Sequence, residues 1–403
     1  MTFALSDIRV LDLTQLQGSH CGKLLADMGA EVIKVEPPGG SAERRRGPYQ
    51  GTAPHPERSL QFAYYNTNKL GITLDLDEPE GASLFRRLAQ QADVVVTSHP
   101  PGYLEERRLA YADLAGENPR LILASVTPCG DTGPHAHFRG PDIVPFALSG
   151  LMYLSGEPDQ PPQMAPGQQA SDLGAAHAAI GILAALYGRS FTGVGQCVEV
   201  SMQEALAMEE HGISRYDFDE HIIQREGSQH GAAAPGRIFP CADGYVHLFV
   251  GGGANQGKWG LLMDWMGQPE VLSDPIWSDP AFRRGNVDII NPLVGEFLAG
   301  QSREQLVREG QGRRLPTAPV HRPEEFAHDG HMEAREFFVD VNHPDMGRLR
   351  TPRSPLRLES TPWTDASGPR PAPRLGEHNE QIYQGLLGLE RDDLIALRLA
   401  GVI

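Results

Sequence analysis

The first 36 residues carry the pattern that most limits the possible folds of this chain. Residues 8–14, IRVLDLT, predict a buried strand, residues 21–30, CGKLLADMGA, predict a helix that ends at Gly29, and residues 31–36, EVIKVE, predict a second strand. Two strands joined through a helix form a βαβ unit, the building block of parallel sheets. A later run, DVVVTS at 93–98, has the β-branched composition of a buried parallel strand. The sequence therefore predicts an α/β protein that opens with a βαβ unit of doubly wound type.

A dinucleotide is the first ligand to consider for such a sheet. Glu36 ends the second predicted strand, where an acidic residue can bind a ribose hydroxyl. The connection that precedes the helix, QLQGSHCG at 15–22, lacks the G-x-G-x-x-G that lets the backbone approach a pyrophosphate. The sequence therefore argues against NAD.

Charge limits the possible partners. The chain has 403 residues and a formal net charge of −17, which argues against a nucleic acid or an anionic membrane as the main partner. An anionic ligand would then need a local basic patch. Three short clusters offer one, although such clusters are commonly only solvated surface: Arg44–Arg46, Arg86–Arg87 and Arg107–Arg108.

Cysteine spacing and the longest apolar run bear on the cellular location. Four cysteines are scattered along the chain: Cys21, Cys129, Cys197 and Cys241. They have no CxxC spacing, which is typical of reduced thiols and not of a disulfide frame or a zinc site. The N-terminal sequence has no basic region followed by an apolar one, and the run from Ala175 to Tyr187 is too short to span a bilayer. We therefore expect a cytoplasmic protein with no membrane segment and no bound metal.

One carboxylate, Asp172, stands immediately ahead of a long apolar segment that predicts a helix. There it meets unpaired backbone N–H groups and the positive end of the helix dipole, which favour the ionised form. Small residues recur on one face of the segment, which can therefore lie close to another element: Gly174, Ala178, Gly181 and Ala185. The opposite face carries larger residues: Leu173, Ile180, Leu183 and Tyr187. From its position alone, Asp172 is either a helix cap or a reactive carboxylate.

Motifs around this helix resemble those of a known family. After Asp172 the chain reads GILAALYGR at 181–189 and TGVGQCVEVSM at 192–202, and its opening reads VLDLTQLQG at 10–18 and LLADMGAEVIKVEPPGG at 24–40. These segments resemble the family III CoA-transferases, which also include the α-methylacyl-CoA racemases, and the likeness covers nearly the whole chain. The resemblance implies a discontinuous large Rossmann-like domain, a small α/β domain and a homodimer of interlocked chains.

The resemblance and the changes in composition together predict the domain boundaries. In chain order we expect a large CoA-binding domain at 1–210, a linker at 211–236, a small α/β domain at 237–340, a Pro-rich, extended return linker at 341–374, and two closing helices at 375–403 that rejoin the large domain.

The resemblance also implies roles for individual residues. Asp172 matches the family's nucleophile and Gln17 its active-site glutamine, whose amide can donate to a reacting carboxylate or thioester oxygen. A turn-capping glutamine is the alternative for Gln17. The positions that match the family's CoA contacts are Gly18, Arg44, Leu70, Gly71, Ile72, Ser98, His99, Pro100, Arg107, Arg108 and Thr127. The family's loop over the active site corresponds to Gly231, Ala232, Ala233 and Ala234.

By resemblance, the chain moves CoA from an acyl-CoA donor to a free carboxylic acid through a mixed anhydride and an aspartyl-CoA thioester on Asp172. A CoA thioester is then a substrate, and no permanently bound cofactor is expected. An α-methylacyl-CoA racemase or epimerase is the first alternative, but Pro141 stands where racemases have a proton-carrying histidine, and no Glu lies between Gly244 and Gln268. A non-catalytic acyl-CoA-binding homologue is the second alternative, and the presence of both Asp172 and Gln17 argues against it.

Overall fold

A computed structural model describes residues 3–209, 212–251, 257–360 and 368–403. The chain divides into two compact units. The Rossmann-like unit contains Met1–Leu151, Ala165–Ser214 and His331–Ile403, and the small unit contains Met152–Met164 and Arg215–Gly330.

A six-stranded parallel sheet organises the Rossmann-like unit. Its strands are β1 Arg9–Leu13, β2 Glu31–Glu36, β3 Leu70–Thr73, β4 Val94–Thr97, β5 Ile122–Thr127 and β6 Cys197–Ser201. Their order, β3-β2-β1-β4-β5-β6, is that of doubly wound dinucleotide-binding folds, in which the direction of winding reverses between β1 and β4. The predicted α/β class with a Rossmann-like sheet is confirmed.

The remaining strands are antiparallel. They are β7 Ala233–Cys241, β8 Gly244–Gly251, β9 Thr317–Pro319, β10 Phe338–His343 and β11 Gly347–Pro352. The first three form the sheet of the small unit, in the order β7-β8-β9, and the last two form a hairpin in the Rossmann-like unit.

The α-helices of the described ranges are, in chain order, α1 Ser19–Asp27, α2 Leu60–Tyr65, α3 Pro79–Ala89, α4 Tyr103–Glu106, α5 Tyr111–Glu117, α6 Ile143–Leu148, α7 Leu151–Leu154, α8 Gln169–Thr192, α9 Met202–Ala207, α10 Gly212–Asp219, α11 Lys258–Met266, α12 Pro280–Arg284, α13 Val287–Ala299, α14 Arg303–Gly312, α15 Pro323–Phe326, α16 Gly330–Ala334, α17 Asn379–Leu387 and α18 Arg391–Leu399.

The main core of the Rossmann-like unit lies between the sheet and three helices. Leu11 and Ile33 of the sheet, Phe85 of α3, Tyr383 of α17 and Leu397 of α18 belong to one buried cluster. Helix α17 also covers the open edge of the sheet, because Asn379 and Tyr383 bond to the backbone of Thr73 in β3. The sheet edge is thereby left with fewer unpaired backbone groups.

Helix α8 packs by its small-residue face, as the sequence predicts. A Cβ on Gly174 would lie 2.9 Å from the Met202 side chain, and one on Gly181 would lie 2.7 Å from Val198. Ile180 and Tyr187, on the opposite face, are 63% and 71% exposed. Of the part of the chain that the structure describes, α8 is the one helix with the length and apolar content to cross a membrane. The packing of one face against β5 and β6 is equally typical of a core helix in a soluble protein.

The small unit has a core of its own, rich in indole rings. Trp259 and Trp265 of α11 and the nearby Trp277 are buried together with Val246 of β8 and Val294 of α13. The three antiparallel strands form one side of this core and the helices the other.

Two segments contain more structure than the sequence predicts. Helix α10 and the start of β7 lie within 211–236, which the sequence predicts as a linker, and β11 lies within 341–374, which it predicts as extended. The β10–β11 turn depends on Gly347. Its φ is 70°, a backbone conformation that residues with a side chain disfavour. Residues 361–367 lie outside the described ranges.

Candidate active site

The loops that follow β1 and β4 form a cleft at the point where the sheet reverses its winding. In open α/β sheets, ligands bind beyond the carboxyl ends of the strands at such a point. The cleft has a volume of about 310 Å³ and is lined by Gln15, Leu16, Gln17, Arg46, Ser98, His99, Pro100, Gly140, Pro141, Asp142, Gln168 and Ser171. Four predicted site residues therefore lie together: Gln17, Ser98, His99 and Pro100.

Hydrogen bonds hold these loops in place. The Gln15 N–H donates to Ser98 Oγ at 2.9 Å, which ties the loop after β1 to the loop after β4. The Gln17 side-chain amide donates to the carbonyl oxygen of Gly140 at 3.1 Å. Gly18 follows in a left-handed conformation with φ of 81° and begins α1. Because Nε2 carries two hydrogens, Gln17 retains one that can point into the cleft.

Asp172 does not cap its helix. Helix α8 begins at Gln169, earlier than the sequence predicts, and the Asp172 N–H already bonds to the Gln168 carbonyl at 2.8 Å. The cap comes from Asp142, whose carboxylate accepts from the Ala170 N–H at 3.0 Å and from the Ser171 N–H at 2.7 Å. The interpretation of Asp172 as a capping residue is therefore wrong, and its side chain is available for another task.

Two side chains that sequence reasoning missed contact the Asp172 carboxylate. The Tyr65 hydroxyl donates to Oδ1 at 2.9 Å and lies 3.1 Å from Oδ2. His20 Nδ1 lies 3.5 Å from Oδ1. The Asp172 side chain remains 39% exposed, so a substrate can reach it from the open side. No local signal marks Tyr65, because FAYY at 62–65 has the pattern of ordinary core residues.

The tyrosine beside Asp172 is a neutral donor. Burial and the neighbouring Asp172 carboxylate together raise the pKa of Tyr65 far above its ordinary value. The same two causes raise the pKa of the adjacent Tyr64 to about 12. Both hydroxyls therefore keep their protons throughout the physiological pH range.

His99 belongs to a stack of three planar groups at the edge of the cleft. Its ring lies 3.9 Å from the Tyr103 ring at an interplanar angle of 6°, and the Arg107 guanidinium carbon lies 3.6 Å from the centre of that same ring. At these distances, His99 and Arg107 must occupy opposite faces of Tyr103. Burial, Lys34 and Arg107 lower the pKa of His99 to about 4, so the imidazole is neutral at pH 7. Arg107 also donates to Asp77 at 2.8 Å.

A buried charge network lies beneath the cleft. Its members are Asp12 in β1, Lys34 in β2, Glu43 and Lys69. Lys69 Nζ lies 2.7 Å from Asp12, and Lys34 Nζ lies 3.7 Å from Asp12 and 3.8 Å from Glu43. Burial alone would raise the pKa of Asp12, but Lys34 and Lys69 hold it below its ordinary value. The two lysines therefore keep a carboxylate ionised in the interior.

Arg44, a predicted CoA contact, is bonded to partners within this chain, and its contact with CoA stays a prediction. Its side chain is 1% exposed, and its guanidinium donates to both oxygens of Glu36 at 2.8 Å and to Glu57 at 2.7 Å. A further N–H goes to the Pro373 carbonyl at 2.8 Å. These bonds occupy donors that a phosphate would otherwise use, and they anchor Arg44 within this chain. The acidic residue that the sequence suggested for a ribose, Glu36, is its partner.

The predicted contacts on β3 are likewise covered within this chain. Leu70 and Ile72 are buried in the core. The Gly71 N–H donates to His378 Nδ1 at 3.1 Å, and the Gly71 carbonyl accepts from the His378 N–H at 2.9 Å. A CoA molecule would have to displace the C-terminal segment to reach the Gly71 backbone, and the CoA contacts of these three residues stay a prediction.

The remaining predicted residues occupy several environments. Thr127 is buried at the end of β5, whereas Arg108 is exposed. In the predicted substrate loop, Gly231 and Ala232 form a turn, but Ala233 and Ala234 are buried at the start of β7. Half of that segment is therefore strand and not loop, and a role over the active site stays a prediction. Among the described residues, no group of three or more His, Cys, Asp or Glu side chains could hold a metal ion.

The comparisons with known proteins agree with this α/β fold. The model of CoA-transferase family III matches residues 5–379. The chain is 36% identical to a succinyl-CoA–D-citramalate CoA-transferase of Chloroflexus aurantiacus, over 99% of this chain and 98% of that protein. It is 34% identical to a formyl-CoA:oxalate CoA-transferase of Streptomyces avermitilis, over the full length of both. The chain belongs to CoA-transferase family III.

Solved structures give the same result for the fold. A CAIB/BAIF family protein from Brucella suis superposes with a TM-score of 0.85 at 28% identity, covering 96% of this chain and all of that one. Rv3272 from Mycobacterium tuberculosis superposes with a TM-score of 0.80 at 27% identity, covering 94% and 98%. As a family III member, the protein is a CoA-transferase that moves CoA between an acyl-CoA and an acid.

Proposed function

We propose that Asp172 is the nucleophile that carries CoA from an acyl-CoA donor to a free carboxylic acid. The observation that supports this most strongly is that a residue other than Asp172 caps the start of α8. Asp142 caps the helix, so Asp172 has no structural duty at the helix terminus and keeps an accessible carboxylate beside a neutral hydrogen-bond donor.

The transfer then proceeds in four balanced steps. An Asp172 oxygen attacks the donor thioester carbon, which expels CoA thiolate and leaves a mixed anhydride. The thiolate attacks the Asp172 carboxyl carbon, which gives an aspartyl-CoA thioester and releases the donor acid with one oxygen from Asp172. The acceptor carboxylate attacks that thioester to form a second anhydride, and the thiolate finally attacks the acceptor's acyl carbon. Asp172 is regenerated with an oxygen from the acceptor.

The cleft supplies groups for the substrate oxygens. Gln17 is fixed by its bond to Gly140 and has a second amide hydrogen for the thioester carbonyl. His99 and Pro100 form part of the wall that would hold the CoA moiety, and the neutral imidazole of His99 can pack against an adenine without a charge cost. We expect small carboxylic acids as acceptors, since the named relatives act on D-citramalate and oxalate.

The test is the substitution Asp172→Asn, which keeps the shape of the side chain and removes the nucleophilic oxygen. CoA exchange between an acyl-CoA and a carboxylate should fall below detection, while calorimetric binding of CoA stays near the wild-type value. Ordinary turnover in this variant would overturn the proposal.

We also propose a cytoplasmic homodimer. Large apolar side chains are exposed along one helix, with Ile180 at 63%, Tyr187 at 71% and Phe191 at 73%, and a second copy could bury them. The free thiols of all four cysteines fit a reducing compartment. Light scattering should give twice the chain mass of 43.9 kDa at every dilution. A mass of one chain would contradict the dimer.

A further inference from the structure

The hydroxyl of Tyr65 contacts the carboxyl group of Asp172. The carbon of this group is attacked in two of the four transfer steps. It donates to Oδ1 of Asp172 at 2.9 Å and lies 3.1 Å from Oδ2. Both carboxylate oxygens are therefore within hydrogen-bond distance of the hydroxyl. Among the described residues, its hydrogen bonds go only to Asp172. Residues 65 and 172 lie 107 positions apart in sequence, so the contact depends on the packing of α2 near the start of α8.

Attack on the Asp172 carboxyl carbon places a full negative charge on one Asp172 oxygen. This happens when CoA thiolate attacks the first anhydride and again when the acceptor attacks the aspartyl thioester. An oxyanion with its charge on one atom accepts a stronger hydrogen bond than a carboxylate that shares it over two. A donor already aimed at these oxygens therefore stabilises the tetrahedral intermediate more than the resting state.

Other donors near Asp172 are already used or lie farther away. The backbone N–H groups of Ala170 and Ser171 are bonded to Asp142, and that of Asp172 is bonded to Gln168. Gln17 is anchored on Gly140, where it faces the cleft. His20 Nδ1, at 3.5 Å, is too far for a good hydrogen bond. Tyr65 thus has the shortest contact to the Asp172 oxygens among the described residues.

Resting on the proposed function above, we infer that Tyr65 is a catalytic residue that donates to the oxyanion formed on Asp172 during thiolate attack and acceptor attack. It keeps its proton throughout, so the proton balance of the transfer is unchanged. Different groups then stabilise the two kinds of oxyanion. The cleft stabilises the oxyanion on the substrate, and Tyr65 stabilises the oxyanion on Asp172.

The test compares Tyr65→Phe with Tyr64→Phe. Phenylalanine keeps the ring that packs edge-on against Tyr64 at 4.9 Å and against His20 at 5.6 Å, so the fold should persist. Tyr65→Phe should lower kcat about 100- to 1000-fold, the usual loss for one oxyanion donor, with KM for both substrates nearly unchanged. The control Tyr64→Phe removes a neighbouring hydroxyl that makes no hydrogen bond to Asp172 in the described structure, and it should retain wild-type kcat.

A second measurement separates catalysis from positioning. In Tyr65→Phe the first attack on the donor thioester proceeds, but the steps at the Asp172 carbon are slow, so acylated Asp172 should accumulate. Acid quenching at steady state, followed by hydroxylamine treatment and peptide mass analysis, should show more Asp172 hydroxamate than in the wild type. If Tyr65 only positions Asp172, the first attack slows too and the hydroxamate fraction falls.

The outcomes distinguish this inference from the proposed function. Wild-type kcat in Tyr65→Phe, or a lowered kcat with less hydroxamate, would overturn the role of Tyr65 while Asp172→Asn remained inactive. Turnover in Asp172→Asn would instead remove the covalent route itself.

Discussion

The Rossmann-like unit contains a buried network of ion pairs, whereas the described ion pairs of the small unit lie nearer the surface and its core is built around indole rings. Beneath the cleft, Lys69 and Asp12 are 0% exposed at their side chains. In the small unit, the Arg303–Glu325 pair is 19% and 22% exposed, and the core is built around tryptophans. Buried ion pairs rarely add stability over apolar packing, because both charges lose their hydration. Their location beneath the cleft therefore points to a role in fixing the site.

The buried groups support this role by what they touch. Lys69 Nζ donates to the Ser19 carbonyl at 3.0 Å as well as to Asp12, and Lys34 Nζ donates to the Thr14 carbonyl. These carbonyls border the segment that carries Gln17. The network thus holds the loop after β1 in one conformation.

The largest expected effect comes from Lys69→Met. The variant leaves Asp12 buried with only Lys34 at 3.7 Å, and losing one partner of a buried pair typically costs about 3–5 kcal/mol of the free energy of unfolding. Urea unfolding at pH 7 measures the change. The matched control from the small unit is Arg303→Met, which removes a pair that solvent already reaches, and its midpoint should move far less.

Equal losses in the free energy of unfolding of Lys69→Met and Arg303→Met would show that the burial of an ion pair does not affect its contribution to stability. Adding Asp12→Leu to Lys69→Met should recover part of the loss, since no uncompensated carboxylate then remains. Failure to recover would assign the loss to packing instead.

A smaller effect is expected from the pH dependence of His99. The pKa of this imidazole is about 4 in the folded chain and about 6.5 when unfolded, so the unfolded state binds the proton more readily. Its contribution to stability is fully present above pH 6.5 and is lost as the pH falls toward 4. His99→Phe preserves an aromatic ring on Tyr103 and cannot titrate, so its thermal unfolding should decline less over this range. Parallel declines in variant and wild type would contradict the assigned pKa.

The sheet was predictable from the sequence because its signals are local. Apolar runs mark β1, β2 and β4, and a short helix pattern joins the first two. The β10–β11 hairpin was missed because its second strand, GRLRTP at 347–352, is charged and half-exposed, and therefore has no apolar run to mark it.

Residues of the cleft could be placed from the sequence only where each directly follows a recognisable strand. Gln17 and His99 follow adjacent strands, so both reach one cleft. The ion pairs of Arg44 could not be predicted, because nothing local shows that Glu36 and Glu57 meet its guanidinium. Tyr65 was missed for the same reason, since its partner Asp172 comes from a distant helix.

The central claim is that Asp172 exchanges an oxygen with its substrates in each transfer, and isotope labelling tests it directly. The enzyme is incubated with an acyl-CoA donor and an acceptor acid that carries ¹⁸O in its carboxylate. The mass of the peptide that contains Asp172 is then measured by mass spectrometry. The covalent route predicts that Asp172 gains ¹⁸O during turnover and that the released donor acid becomes labelled in later cycles. An Asp172 peptide that stays unlabelled while CoA transfer proceeds would contradict the mechanism.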